Sequence, residues 1–326
     1  MNGAWAYGGG HTLGSMKDLH AGPTARATPG RRGAALVAAL ALSVTGCAGP
    51  PDTAAARSPA AVPSTQPPSP GQKAPAPDAA IPADPARLAD DLEDTDARLR
   101  RAIDDWRNDG NPAKGEAPEP VVLLALHEQR AYRYLARNPT IASRTYARLP
   151  KDLAGKARDD VTAIRGLISL ARPVSGPVTM RVEAPESADV LLADFRRAER
   201  RFGVEWEVLA AVMFVETKFG RVRSPSYTGA KGPMQFMPGT WRAYGMGGDI
   251  EDTRDALLAA ANYLHASGAP RDYRRALYAY NHSQAYVDAV LRHAGQMKRD
   301  IRNYYAYYNW QVYVITTKGE RRLTGP

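Results

Sequence analysis

Residues 208–220 read VLAAVMFVETKFG: eight apolar side chains without a break, then a carboxylate, then a glycine four positions on. This is the most apolar helix candidate in the chain, and it places Glu216 at its end. A charged carboxylate is costly to desolvate, so apolar walls favour its neutral form and raise its pKa. A carboxylic acid that keeps its proton near neutral pH is what protonation of a glycosidic oxygen requires. The competing reading puts Glu216 at the solvent end of the helix, near Lys218, with no chemistry attached.

Outward from this stretch the pattern is helical. Leu191, Phe195, Ala198 and Phe202 form one face of a helix that ends at Gly203. The helix carrying Glu216 runs from Trp206 to Phe219 and stops at Gly220. A Gly- and Pro-rich stretch covers Arg221 to Gly248, and helices follow over 252–266, 271–280 and 284–297, the last two separated by YNHS. The segment WQVYVITTKGERRLT alternates and predicts a short hairpin turning at Lys318-Gly319. Upstream, Leu88, Leu92, Leu99, Ile103 and Trp106 recur at helical spacing until Gly110-Asn111-Pro112. A second apolar segment spans Val121 to Leu135 and stops before Asn138-Pro139. A third spans Lys151 to Leu170, with Leu153, Val161, Ile164 and Ile168 on one side. These upstream helices carry no catalytic constellation and read as packing helices. No repeat is visible, and no strand–helix alternation points to a parallel sheet.

The net charge of +9 favours an acidic partner. No helix-turn-helix spacing, zinc-finger spacing or RNA-binding aromatic motif is present, so nucleic acid is not the expected one. Cys47 is the only cysteine, which excludes a disulfide within the chain and a cysteine-based metal site. No EF-hand pattern occurs, and neither a metal nor a cofactor is expected. The setting of Cys47 is informative. In RRGAALVAALALSVTGC, residues 31–47, two arginines precede an apolar run too short to span a bilayer, and VTG leads into the cysteine. This resembles a bacterial lipoprotein signal, which implies cleavage before Cys47 and a diacylglyceryl group on its thiol. Residues before the signal fit no targeting logic, and Met16 is an alternative start. From Ala48 to Ala86 the chain is mostly Ala, Pro, Ser and Thr and holds eleven of the 26 prolines. Such a composition cannot bury a core and reads as a disordered, partly polyproline tether.

Three further features bear on Glu216. GAKGPMQFMPGTW, residues 229–241, is a Gly- and Pro-rich loop carrying Met234, Gln235 and Phe236. A glutamine amide can both donate to and accept from sugar hydroxyl and acetamido groups. YAYNHS, residues 278–283, sets Tyr280 and Asn281 at a helix junction. The Gly220 break leaves Glu216 at the edge of a cleft. Each alone has a plain structural alternative: Met and Phe are more often core, and Asn281 serves equally as a helix cap.

In this order the motifs resemble the soluble-lytic-transglycosylase and goose-type-lysozyme superfamily, over roughly residues 187–297. The family's Glu-Ser followed by aromatic-Gly appears as ETKFG, its Gly-x-Met-Gln loop as GPMQFMP, and its Ala-Tyr-Asn as AYN at 279–281. The resemblance implies a mainly α fold, with a lysozyme-like helical domain at 183–300. A signal region at 1–46, a tether at 47–86, a helical accessory region at 87–182 and a Tyr-rich segment at 301–326 complete the expected organisation. It implies that Glu216 is the general acid/base, and that Thr217, Met234, Gln235, Phe236, Tyr280 and Asn281 meet the glycan strand of peptidoglycan. Thr217 stands in place of the usual Ser, and His282-Ser283 in place of the Ala-Gly of many relatives. The implied reaction cleaves the β-1,4 bond between N-acetylmuramic acid and N-acetylglucosamine and closes a 1,6-anhydro ring. That chemistry needs one acid, and no second carboxylate is obvious near Glu216 in sequence, though Asp249, Glu251, Asp252 and Asp255 could fold towards it. A hydrolytic muramidase on the same fold and an inert wall-binding lipoprotein are the alternatives. The expected location is the outer face of the cytoplasmic membrane, held by lipid on Cys47.

Overall fold

The computed structural model describes residues 73–323; the signal, Cys47 and most of the tether lie outside the described residues. Eleven helices and one hairpin make up the described chain. They are α1 (Pro85–Asn108), α2 (Glu119–Arg137), α3 (Pro139–Tyr146), α4 (Lys151–Ser169), α5 (Ala188–Phe202), α6 (Trp206–Thr217), α7 (Pro238–Tyr244), α8 (Thr253–Ala266), α9 (Tyr273–Tyr280), α10 (Gln284–Arg299) and α11 (Arg302–Tyr308), followed by β1 (Val312–Thr316) and β2 (Gly319–Leu323). The mainly α class read from the periodicity is the class observed.

α6 is the centre. Every residue from Val208 to Thr217 is buried, and α5, α8, α10 and α11 pack around it. A helix apolar on all sides has to be enclosed in this way, because no face of it is suited to water. The upstream helices share that core. α4 lies along α10 and against α2, and the buried apolar side chains of α1 to α4 are continuous with those of α5 to α11.

The Tyr-rich segment is the clamp between the two groups of helices. Tyr307 stacks on Phe214 of α6 with centroids 5.1 Å apart, and its hydroxyl donates to Asp160 of α4 at 2.5 Å. Tyr304 donates to the Ala188 carbonyl at 2.6 Å and Tyr305 to Asp189 at 2.6 Å, tying α11 to the start of α5. Each ring buries a large apolar face while its hydroxyl finds a partner, which is the usual condition for burying tyrosine. Beside Asp160, Lys156 of α4 is bonded to Glu128 of α2 and lies 3.3 Å from the Tyr132 hydroxyl and 3.7 Å from Asp96. His293 Nδ1 is 3.2 Å from Asp160 Oδ1, within ion-pair range but not in hydrogen-bond geometry.

Local differences from the sequence reading have identifiable causes. Asn138-Pro139 ends α2 but also opens α3, with Pro139 in the first turn, where its missing N–H has no partner to lose. The hairpin pairs Thr316 with Gly319, so its turn is Thr317-Lys318, one residue earlier than expected. Residues 73–84, expected to belong to the tether, lie against the helices. Arg98 donates to the Lys73 carbonyl at 2.8 Å, Arg130 to Ala79 at 2.6 Å and Arg322 to Pro77 at 3.1 Å. Arginines from α1, α2 and β2 thus supply partners that an Ala/Pro composition cannot supply to itself.

Candidate active site

Glu216 sits in the last turn of α6 and is 1% exposed, so it is not at a solvent end. The chain reverses directly after it. Lys218, Phe219 and Gly220 have φ of 54°, 60° and 83°, three successive left-handed residues. Such a conformation costs a non-glycine residue about 1–2 kcal/mol. Packing of the Phe219 ring against Phe195, Phe214 and Tyr304, at centroid distances of 6.3, 5.6 and 5.5 Å, offsets it. The helix therefore ends at Thr217, two residues before the expected Phe219.

Thr217 makes that ending possible. Its hydroxyl donates to the Pro233 carbonyl at 2.7 Å and accepts from the Gly220 N–H at 2.9 Å. One side chain thereby closes the turn after Glu216 and pins the 229–241 loop to α6. Tyr280, at the end of α9, pins the next residue of the same loop, donating to the Met234 carbonyl at 2.7 Å. Lys231 and Phe236 close the loop by bonding each other's backbone at 2.9 and 2.8 Å. Gly232 cannot be replaced there: a Cβ would lie 1.9 Å from the Ile250 carbonyl oxygen. Met234 and Phe236 are fully buried, and Phe236 packs on Trp241 and Tyr280 at 5.3 and 6.1 Å. Between them Gln235 takes a left-handed φ of 50°. Its Nε2 donates to the Gly232 carbonyl at 3.0 Å, while its Oε1 is buried without a partner.

The acid itself has one partner. The Tyr286 hydroxyl of α10 donates to Glu216 Oε1 at 2.8 Å, and Oε2 is buried without one. Because Oε1 accepts, the proton of the neutral acid belongs on Oε2. Burial pushes the Glu216 pKa up to about 7, against the opposing pull of the Tyr286 hydrogen bond and the Lys218 charge. Tyr286 is itself held well above the ordinary tyrosine range by burial and by the Glu216 charge, so it remains a donor. The Tyr280 ring lies parallel to it, with centroids 6.5 Å apart.

Of the residues expected around a substrate, the fold assembles Glu216, Thr217, Met234, Gln235, Phe236 and Tyr280 into one connected unit. Thr217, Met234, Phe236 and Tyr280 use their side chains within the protein, and Glu216 Oε2 and Gln235 Oε1 are buried without a partner. Asn281 caps α9 through its backbone N–H, which donates to Leu277 at 2.9 Å, and its carbonyl accepts from Ser283 at 2.7 Å. Of the acids considered as a second carboxylate, Asp249 accepts from the Glu251 N–H at 3.0 Å, and Asp252 and Asp255 serve the start of α8. Asp252 caps its first turn through the Asp255 N–H at 2.9 Å, and Asp255 accepts from the Asp249 N–H at 2.9 Å. Sequence reasoning missed Tyr286, whose position reads as one more apolar step along α10. The available signal was a hydroxyl-bearing ring on the buried face of α10, among Val287, Ala289 and Val290.

Fold and site together define a mainly α-helical protein that encloses the Glu216 carboxyl at the end of its central helix, where burial raises its pKa. Residues 194–303 match a family model described as Transglycosylase SLT domain. The match begins within α5 and ends in α11, so it takes in Glu216, the 229–241 loop, Tyr280, Asn281 and Tyr286, while α1 to α4 lie before it. No curated protein and no solved structure matches the chain.

Proposed function

We propose that this protein is a peptidoglycan lytic transglycosylase that cleaves the β-1,4 bond between N-acetylmuramic acid and N-acetylglucosamine. The observation that carries this reading is the state of Glu216: one apolar-walled carboxyl, proton-loaded to about pH 7, with one oxygen committed to Tyr286 and the other uncommitted. Similarity of residues 194–303 to the SLT transglycosylase domain supplies the substrate class. Glu216 Oε2 gives its proton to the glycosidic oxygen as the C1–O bond breaks, and the substrate's acetamido group stabilises the developing cation. The resulting carboxylate takes the proton of the muramyl C6 hydroxyl, whose oxygen bonds to C1 and closes the anhydro ring, with no water consumed. Tyr286 acts where charge develops, since its bond to Oε1 strengthens as the carboxylate forms. Glycan binding has to open a path to Oε2. Gln235 is assigned to the sugar, together with Asn281. Met234, Phe236, Thr217 and Tyr280 are assigned to holding the loop that presents it.

The test is digestion of purified sacculi, with mass analysis of the products, by the wild type and by Glu216→Gln. Anhydro ends, one water lighter than reducing ends, are expected from the wild type. Acid/base help is worth about 10² to 10⁴ in rate, so the variant should be nearly inactive although folded. Reducing ends would identify a muramidase instead, and no release would leave a wall-binding protein.

We also propose, from residues 31–47, that a diacylglyceryl group on Cys47 holds the domain at the outer face of the cytoplasmic membrane. One acyl chain binds marginally and two bind stably. Labelled palmitate should enter the wild type and not Cys47→Ser; failure to enter the wild type sinks the anchor.

A further inference from the structure

Tyr227 is the most exposed large apolar side chain among the described residues, at 51%. It sits at the tip of a turn that holds itself without the ring. The Ser226 N–H donates to the Ala230 carbonyl at 2.8 Å, and the Ala230 N–H donates to Ser226 Oγ at 2.8 Å. The Gly229 N–H donates to the Ser226 carbonyl at 2.8 Å, and the Ser226 and Thr228 hydroxyls lie 2.8 Å apart. A small polar residue at 227 would serve this turn as well, and a ring left in water forgoes the burial that is its main stabilising contribution. The turn alone therefore does not account for the side chain. Its place in the chain is specific: the Val222 N–H donates to the Thr217 carbonyl at 3.1 Å, and Ala230 leads directly into the Lys231–Phe236 bridge that encloses Gln235. The ring is held from upstream. The Arg172 guanidinium lies over it, 5.6 Å from its centroid. Arg172 belongs to the segment between α4 and α5, before the matched residues 194–303. That segment is fixed at both ends. The Val174 N–H donates to the Ile315 carbonyl at 2.9 Å, and its carbonyl accepts from Thr317 at 3.2 Å. The Glu183 N–H donates to the Arg221 carbonyl at 2.9 Å, and the Arg223 N–H to the Arg181 carbonyl at 3.0 Å.

We infer that Tyr227, held in place by Arg172, is a sugar-stacking platform for a further pyranose ring of the glycan strand, besides the sugar assigned to Gln235 and Asn281. The inference rests on a glycan being the substrate. A pyranose has a face of C–H groups and a rim of hydroxyls. A tyrosine matches both, with an apolar ring face and a hydroxyl at its tip. The side chain is already open to water, so no buried contact has to break before a sugar lies on it. The guanidinium over the ring restricts its rotamers, which lowers the entropy lost when the sugar binds. Of the five large apolar side chains exposed among the described residues, only Tyr227 and Tyr278 carry rings. Tyr278 lies in α9, whereas Tyr227 belongs to the stretch of backbone that joins the turn after Glu216 to the loop of Gln235. Through Arg172, a segment outside the matched domain takes part in glycan binding.

The test is binding of glycan strands freed of stem peptides to the full chain carrying Glu216→Gln, so that binding is read without cleavage. Proton magnetic resonance should show sugar C–H signals moved upfield by the ring. Adding Tyr227→Ala should remove that shift and weaken Kd about tenfold. Tyr227→Phe should keep both, because it keeps the ring face. Arg172→Ala should weaken binding when Tyr227 is present and change nothing further when residue 227 is already alanine, since the guanidinium acts through the ring. Melting temperature should move little at so exposed a position. If the alanine variant does not fold, Tyr227→Ser removes the ring and suits the turn. Sugar signals that do not shift, a Kd unchanged by loss of the ring, or a Tyr227→Phe as weak as Tyr227→Ala overturns the platform. Additive losses from the two residues overturn the part given to Arg172. The proposed reaction is read separately, with Glu216 intact. Sacculi cut by a protein whose glycan binding ignores Tyr227 leave the reaction standing and sink the platform. Glycan binding that needs Tyr227, in a protein that cuts nothing, sustains the platform and sinks the reaction.

Discussion

The Tyr286 hydroxyl lies 2.8 Å from Glu216 Oε1, and the ring of Tyr280, six residues earlier, lies parallel to that of Tyr286 while its hydroxyl holds the Met234 carbonyl. Two tyrosines flanking the α9–α10 junction thus fix, respectively, the acid and the loop beside it. A shift of that junction would disturb both.

Tyr286→Phe should keep the ring packing and lose the hydrogen bond to Oε1. A bond to a charged group is worth about 1.5–3 kcal/mol, which corresponds to roughly ten- to a hundredfold in rate when it forms with the charge. The expected result is a loss of that size in kcat on sacculi, with KM little changed. An unaltered kcat would remove Tyr286 from the mechanism.

Gln235→Ala should impair cleavage more than stability. The Nε2 bond to Gly232 is one neutral hydrogen bond, worth about 1 kcal/mol. Gln235→Gly separates the two roles further, because glycine relieves a left-handed φ that costs other residues about 1–2 kcal/mol. Melting temperature should be higher for the Gly than for the Ala variant, and cleavage should be poor in both. Full activity per folded molecule in either variant would confine the amide to holding the loop.

The buried pair should also shape stability against pH. Glu216 is raised from 4.5 to about 7, so the folded state binds more protons between those values and stability falls as pH rises through that window. Lys218 is lowered from 10.5 to about 7, so the unfolded state binds more protons above 7 and stability recovers as pH rises towards 10.5. At about 1.4 kcal/mol per pKa unit the acid arm is on the order of 3 kcal/mol and the alkaline arm on the order of 5 kcal/mol. Denaturant melts across this range should show a trough near neutrality. Glu216→Gln should flatten its acid side and Lys218→Met its alkaline side; a monotonic profile that neither substitution changes would contradict both shifts.

Lys156→Met should destabilise the whole described chain rather than the upstream helices alone. It leaves Glu128 buried without its cation, a loss typically of about 3–5 kcal/mol. Because α4 and α10 share one core, the melt should stay a single transition detected equally by near-ultraviolet and far-ultraviolet signals. Two separate transitions would show that α1 to α4 unfold on their own.

The sequence by itself determined the longer helices and set the acid at the end of the most apolar one, but it did not show α3, α7 or α11, or decide whether that end is buried. The apolar run 208–215 can only be an enclosed helix, and Glu216 follows it directly in the chain. Even so, Asn138-Pro139 concealed a helix, because the residues that stop one helix are also those that start another. What only the tertiary structure decided is the company the acid keeps. Thr217 meets Pro233 across 16 residues, Tyr280 meets Met234 across 46, and Tyr286 meets Glu216 across 70. No periodicity connects positions so far apart. Their meeting depends on how α6, α9 and α10 pack, and that packing separates the tyrosine that bonds the acid from the aromatic rings that only fill the core.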